Sequence, residues 1–374
     1  SSQGDPWGRI QAGEGRILAM AASCSSTACC IRHPRACTQQ PLEPRSGQVE
    51  ASACFQEGCA AKDCEACGHV ERVPNIVHYV WVGEGCPPRR ALVSLIGAAT
   101  QLRPSFVYLW VQSEEVCDSG PVAACWRSFG AVRRMIPPWE RIAPAASFRT
   151  AVREMLPAHQ SDVVRLFLLN TIGGIYLDSD AFVLRSLQRW RRCDFALGAE
   201  QGGNKLNNGL LIAANGSAFG RAWWRRLQTW DGSGWDFHSC VWPKLECERS
   251  PGLVAASVDL GPLLPPKRFP HGEGALLASN RSQLTSALAR RDAVHFVAFR
   301  SWVNEGPELL WNVVKHVLTS AVERTAVRMS VQQQACVNHI LAAGVKGLWE
   351  PNHGRAQSVN RRRSLTRRRG ASVG

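Results

Sequence analysis

No run of this 374-residue chain approaches the roughly 18 consecutive apolar residues that a bilayer-spanning helix needs. The best stretch, Ala91 to Leu102, is shorter and is broken by Ser94, Thr100 and Gln101. Ile17 to Ala22 is too short for the apolar centre of a signal peptide, about 7–15 residues. The chain opens on Ser1 and not on Met, so membrane association through a missing N-terminal anchor is kept as an expectation. Acidic residues are absent after Glu350, whereas Arg355, Arg361, Arg362, Arg363, Arg367, Arg368 and Arg369 follow it. Those seven charges are half of the formal net charge of +14. A one-sign terminal run reads as a solvated tail; an ordered nucleic-acid face would interleave basic and aromatic residues, so no specific nucleic-acid partner is expected. A second Cys-x-x-Cys pair is also lacking. Cys64-Glu65-Ala66-Cys67-Gly68-His69 has metal-ligand spacing but no partner to complete a tetrahedral set. No internal repeat recurs at a fixed period, which excludes solenoid and propeller arrays.

What is present is a chain that is 45% hydrophobic, enough for a sizeable core. Fifteen cysteines are many, and Cys24, Cys29, Cys30, Cys37, Cys54, Cys59, Cys64 and Cys67 precede the apolar part. Metal binding and disulfides in a secretory compartment are both open for them. Asn215-Gly216-Ser217 and Asn280-Arg281-Ser282 have the form of glycosylation acceptors. Three segments follow. Residues 1–72 form a Cys-rich leader or stem without apolar periodicity, 73–345 an ordered domain, and 346–374 a basic disordered tail.

Within the domain, helical and strand patterns alternate. Ile76 to Val82 is a β-branched and aromatic run bounded by Pro74 and Gly83, which predicts a buried strand. Arg89 to Leu102 predicts a helix, Phe106 to Val111 a second strand, Ser161 to Asn170 a helix, and Ile175 to Leu177 a short strand. Later strands are predicted over Phe195 to Ala199, Leu210 to Ala213 and Ala293 to Phe299. Helices are predicted over Ala218 to Thr229 and from Pro307 to about Arg328. This order argues for an α/β domain with a mostly parallel central sheet.

The chemistry gathers at Asp178-Ser179-Asp180, which follows a predicted strand. Side chains at i and i+2 leave a strand on the same side, so the two carboxylates would face one space with Ser179 turned away. Paired carboxylates repel, and a hard divalent ion such as Mn²⁺ or Mg²⁺ relieves that cost. Open α/β sheets also bind ligands beyond the carboxyl ends of their strands. Asp162 and Arg165 share a helix face at spacing three, either as an ordinary ion pair or as groups near a bound diphosphate. Gly173-Gly174 predicts a helix end leading into the strand. Asn207-Asn208-Gly209 predicts a turn, with Asn208 also a candidate for sugar contact.

The whole frame from Ser161 to Asp180 resembles the sugar-binding signature of glycosyltransferase family 32 and its relatives, among them yeast-type mannosyltransferases and α-1,4-galactosyltransferases. Val73 to Gly83 resembles the family's opening strand. Asp292 to Val297, followed by Ser301-Trp302, resembles its closing His and Ser-Trp element. The resemblance implies a GT-A type, Rossmann-like fold and metal-dependent hexose transfer with retention from a nucleotide-sugar donor (UDP- or GDP-linked) to a glycan, lipid or protein. It implies base stacking by Trp81, and contacts to sugar and diphosphate from Asp162 and Arg165. Tyr176 would touch the donor or else be a core strand residue; Asp178, bridging toward donor hydroxyls, and Asp180 would hold the metal; His295 would be a further metal or phosphate contact or else structural; and Ser301 and Trp302 would close over the diphosphate. The cysteines and the two acceptor-like triplets lean to the secretory pathway, with the Golgi as the expected compartment. The segment from Thr229 to Gly274, with Trp230, Trp235 and Trp242, matches no part of that pattern and is where acceptor choice is expected. Two other classes compete: an inactive nucleotide-sugar-binding protein and a basic nucleic-acid-binding protein.

Overall fold

The computed structural model describes residues 71–349, apart from 201–204, 233, 235, 264–287, 289, 298 and 326–328. The cysteines of the leader, Cys64-Glu65-Ala66-Cys67, Trp235, the Asn280 triplet and the arginines after Glu350 lie outside the described residues. Ten strands are described: β1 (Ile76–Trp81), β2 (Phe106–Val111), β3 (Ala131–Met135), β4 (Gly174–Leu177), β5 (Ala181–Val183), β6 (Phe195–Ala199), β7 (Leu206–Ala213), β8 (Ala255–Ser257), β9 (Pro262–Leu263) and β10 (Ala293–Phe296). The described α-helices are α1 (Arg89–Leu102), α2 (Gly120–Ser128), α3 (Trp139–Ile142), α4 (Ala146–Glu154), α5 (Pro157–Thr171), α6 (Ala218–Leu227), α7 (Trp242–Arg249), α8 (Phe299–Glu305), α9 (Pro307–Thr325) and α10 (Val331–Trp349).

Seven strands form one sheet in the order β3-β2-β1-β4-β7-β6-β8. All neighbours are parallel except at β7, which runs against both β4 and β6. The α/β class with a mostly parallel sheet is therefore as the alternation predicted. A second, three-stranded sheet in the order β5-β10-β9 stands beside it. Both faces of the large sheet are covered, which is why its strands read as nearly unbroken apolar runs. Along β1 and β4, Val77, Tyr79, Ile175 and Leu177 join one core, and Ile76 and Tyr176 join the other. The first core packs under α1, α2, α9 and α10, and the second under α5 and α6. No described helix is long and apolar enough to cross a membrane.

Several boundaries differ from the sequence reading. The helix predicted from Ser161 starts at Pro157, because Pro at the first helical position has no amide hydrogen to leave unpaired. It ends where Gly173 and Gly174 take positive φ of 78° and 114°. Side chains there would collide, since a Cβ on Gly174 would lie 2.7 Å from the Ile76 carbonyl oxygen. Ser217, the third residue of one acceptor-like triplet, is the buried N-cap of α6, its Oγ accepting from the Gly220 amide at 3.1 Å. The strand predicted to Phe299 stops at Phe296, and Phe299 opens α8. Helix α10 carries none of the sequence predictions, and its buried Cys336 is disulfide-bonded to Cys125 of α2. Cys86 and Cys117 form a second bridge. Cys193 and Cys247 are disulfide-bonded too, while Cys240 is a free thiol.

Candidate metal and sugar-binding site

The site begins at the carboxyl end of β4. Leu177 is the last strand residue, and a tight turn follows, closed by the Ala181 amide donating to the Asp178 carbonyl at 3.1 Å. Both carboxylates point to one space through this turn, where the sequence reading relied on strand alternation. Two neighbours brace it. The Ser94 hydroxyl of α1 donates to the Ala181 carbonyl at 2.5 Å, and the Asp178 amide donates to the Gly209 carbonyl of β7 at 2.7 Å. Antiparallel pairing of β5 with β10 sets Ala181 opposite His295. The imidazole therefore arrives beside the turn, with Nε2 3.1 Å from Asp180 Oδ1 and 3.7 Å from Asp178 Oδ2. Asp178, Asp180 and His295 each offer one ligand atom, all within 4.8 Å of one another. Two carboxylate oxygens and an imidazole nitrogen at that spacing suit a divalent cation such as Mn²⁺ or Mg²⁺.

Electrostatics hold the three groups together. Burial alone would raise the Asp180 carboxyl, but the His295 hydrogen bond and charge, with Arg90 beyond them, keep it below its ordinary value. Burial would lower His295; the Asp180 bond and the two carboxylate charges raise it instead. Arg90, missed by sequence reading, is the second residue of α1 and stands 3.8 Å from Asp180 Oδ2, its guanidinium 5.1 Å above the Phe299 ring. Only its position two residues after Pro87-Pro88, at a helix start, could have drawn attention to it.

Arg165 lies beneath Asp178, with its side chain 5% exposed. It reaches Asp162 Oδ1 at 3.0 Å and Asp178 Oδ1 at 3.2 Å, donates to the Asn208 carbonyl at 2.7 Å, and sits 4.3 Å above the Tyr176 ring. The intrahelical Asp162–Arg165 ion pair is present, and Arg165 also supports the acidic turn from below. Burial pushes Asp162 up to about 6 against the pull of Arg165, while Asn208 Nδ2 donates to it at 2.8 Å.

Two expectations are corrected, and Tyr176 takes the core place that was one of its two readings. Tyr176 is 1% exposed, and its hydroxyl donates to Asp178 Oδ1 at 2.5 Å because its strand position turns it into the second core. Trp302 does not close over a ligand. It is fully buried on α8, edge-on to Phe296 at 5.1 Å, because the chain turns helical at Phe299 and directs it inward. Its neighbour Ser301 is half-buried on the same helix. Asn207-Asn208-Gly209 is not a turn but the interior of β7, where cross-strand pairing with β6 overrides the local preference of Asn-Gly. Trp81, half-buried at the end of β1, packs against the first core, and its Nε1 has no hydrogen-bond partner among the described residues. Trp230 packs against His159 and His238, with ring centroids at 4.7 and 4.8 Å.

Residues 133–196 match the family model described as glycosyltransferase sugar-binding region containing DXD motif. That stretch includes Asp162, Arg165, Tyr176, Asp178 and Asp180, so the resemblance read from Ser161 to Asp180 is borne out. Trp81, Asn208, His295, Ser301 and Trp302 fall outside it. A similar curated protein is Glucan organizing enzyme 1 of Cryptococcus neoformans var. grubii serotype A, 29% identical over 196 residues, covering 46% of this chain and 48% of that one. The chain thus spans about half the length of this relative. Among solved structures, the PaToxG glycosyltransferase covers 74% of this chain and 88% of its own at 12% identity and a TM-score of 0.36. The UDP-bound glycosyltransferase domain of the YGT toxin covers 72% and 100% at 10% identity and a TM-score of 0.37. These low scores leave the architecture to be read from the chain itself.

Proposed function

We propose that this chain, which carries the sugar-binding region of DXD glycosyltransferases, is a metal-dependent transferase. It moves a hexose from a UDP- or GDP-linked donor to a glycan, lipid or protein acceptor, with retention of anomeric configuration. The observation that carries the reading is the convergence of Asp178, Asp180 and His295 within 4.8 Å at the carboxyl end of β4. When bound there, a divalent cation would offset negative charge growing on the departing nucleoside diphosphate. The rest is the work of the chain. Asp178 and Asp180 hold the cation's side of the diphosphate, with Arg165 and Tyr176 keeping Asp178 in place. Arg90 adds positive charge on the far side of Asp180, where an anion would arrive. Trp81 would stack on the donor's base. Asp162 and Asn208, bonded to each other, are groups a sugar hydroxyl could reach from the same side. No group in the acidic turn stands as a separate nucleophile, so attack from the leaving-group face is favoured over a covalent intermediate. The segment around Trp230 and Trp242 is where acceptor choice would lie. The disulfides at Cys86–Cys117 and Cys125–Cys336 favour an oxidising compartment, in keeping with the secretory pathway and the Golgi.

A screen of UDP- and GDP-hexoses for Mn²⁺- or Mg²⁺-dependent hydrolysis tests this reading. Hydrolysis of at least one donor, abolished by chelation and by Asp180→Asn, is the expected result. Cation and nucleotide binding without hydrolysis or transfer of any donor would leave an inactive binding protein.

A further inference from the structure

We propose that Asn207 is a positioning residue that holds His295 in the Nδ1–H tautomer and so presents the Nε2 lone pair to the cation shared with Asp178 and Asp180. The inference rests on the metal-dependent reading above and concerns a residue outside the matched sugar-binding region. It follows from hydrogen-bond direction. Amide oxygen and nitrogen of an asparagine cannot be told apart by shape, so their assignment needs a neighbour with only one possible role. The Gly209 backbone amide is such a neighbour, because it can only donate. It lies 2.9 Å from Asn207 Oδ1, so that atom is the oxygen. The same oxygen lies 2.8 Å from His295 Nδ1. A carbonyl oxygen accepts and never donates, and it has a second lone pair for a second donor. Nδ1 must therefore carry the hydrogen. Beside the carboxylates alone, Nε2 also carries a hydrogen and donates it to Asp180 Oδ1 at 3.1 Å; when a cation displaces that hydrogen, the neutral imidazole keeps its one N–H on Nδ1, which leaves the Nε2 lone pair facing Asp180 and Asp178.

The surroundings make this arrangement hard to replace. Asn207 and His295 are both buried, at 4% and 7% exposure, so water is a poor substitute for the amide. Pairing of β7 with β6 sets Asn207 opposite Gly198 and holds its backbone. The Gly209 carbonyl, two residues on, accepts from the Asp178 amide, so one short stretch of β7 orients a ring and an acidic residue of the same site. Gly209 itself must lack a side chain: a Cβ there would fall 2.4 Å from His295 ring atoms.

The test compares Mn²⁺ affinity of the full chain, by titration calorimetry, for the wild type, Asn207→Leu and Asn207→Asp. Leucine keeps the volume and removes the acceptor; aspartate keeps an acceptor. Asn207→Leu should bind Mn²⁺ about ten- to hundredfold more weakly, the range for lost partners of metal-ligating histidines. Asn207→Asp should stay within about threefold. Nitrogen-15 spectra of the Mg²⁺-loaded wild type should show His295 protonated on Nδ1, a measurement that does not depend on any variant folding. An unchanged Mn²⁺ affinity in a folded Asn207→Leu, or a proton on Nε2 in the loaded wild type, would overturn the assignment while leaving the metal site standing. A wild type that binds neither Mn²⁺ nor Mg²⁺ would overturn the metal-dependent reading and this inference with it.

Discussion

His78 and His295 show how one residue type serves two ends. His78 is wholly buried; Trp110 Nε1 donates to its Nδ1 at 3.1 Å, so its Nε2 hydrogen goes to the Gly173 carbonyl at 2.9 Å. Both nitrogens are committed to the neutral form, and burial pushes the group down to about 4 despite the Gly173 bond. A base whose folded pKa lies below its unfolded value binds more protons unfolded. Its contribution is complete above about pH 6.5 and is lost as pH falls toward 4, amounting to roughly 3 kcal/mol. Urea melts at pH 7 and pH 4.5 should show that loss, and His78→Gln should flatten the difference; an equal slope in both proteins would count against it. Asp180→Asn removes a charge facing the cation and should abolish measurable Mn²⁺ binding with the fold intact. Asp180→Asn and Asp178→Asn each also take an opposing charge from a largely buried arginine, Arg90 beside Asp180 and Arg165 beside Asp178, so each should cost about 1–3 kcal/mol of stability. Thermal melts of the two variants, run beside Mn²⁺ titrations, check both expectations.

At the scale of elements, the site is a meeting of β4, β7, β10 and the start of α1, and its precision depends on close backbone approach. Gly209→Ala is the sharpest probe of that approach. The added methyl would displace the His295 ring, so Mn²⁺ affinity should fall about tenfold or more. Circular dichroism unchanged beside unchanged affinity would mean that β7 gives way freely. The α1, α2 and α10 side is tied covalently. Cys125–Cys336 closes a separation of 211 residues and Cys86–Cys117 one of 31. Loop-closure entropy grows with the logarithm of loop length, so losing the longer bridge should destabilise more, by about 1–2 kcal/mol. Denaturant midpoints of Cys336→Ser and Cys117→Ser compare the two directly, and the reverse order would show that native packing dominates over chain entropy.

For the whole molecule, charge and site are separate matters. Half of the +14 sits in seven arginines after Glu350, away from the acidic turn in sequence. Deleting residues 355–374 should sharply reduce salt-dependent retention on heparin or RNA while leaving donor hydrolysis unchanged. Retention that persists undiminished would point to a basic face on the domain. By itself, the sequence determined the α/β class, the span of α1 and β2 to the residue, and the Ser161 to Asp180 frame. Local rules suffice there: apolar period, Pro and Gly at element ends, and two carboxylates next to a strand end. Only the tertiary structure decided which flagged residues meet. His295 lies 115 positions from Asp180 and reaches it through the β5–β10 register. Tyr176 and Trp302 turned into the cores because strand phase and a helix start at Phe299 direct them there. Asn207 passed for part of a turn, since Asn-Gly favours one locally, until pairing with β6 made it a strand residue. Arg90 carried no signal beyond a helix start. Contacts of long sequence separation set these positions, and a linear pattern holds no record of which strands will lie side by side.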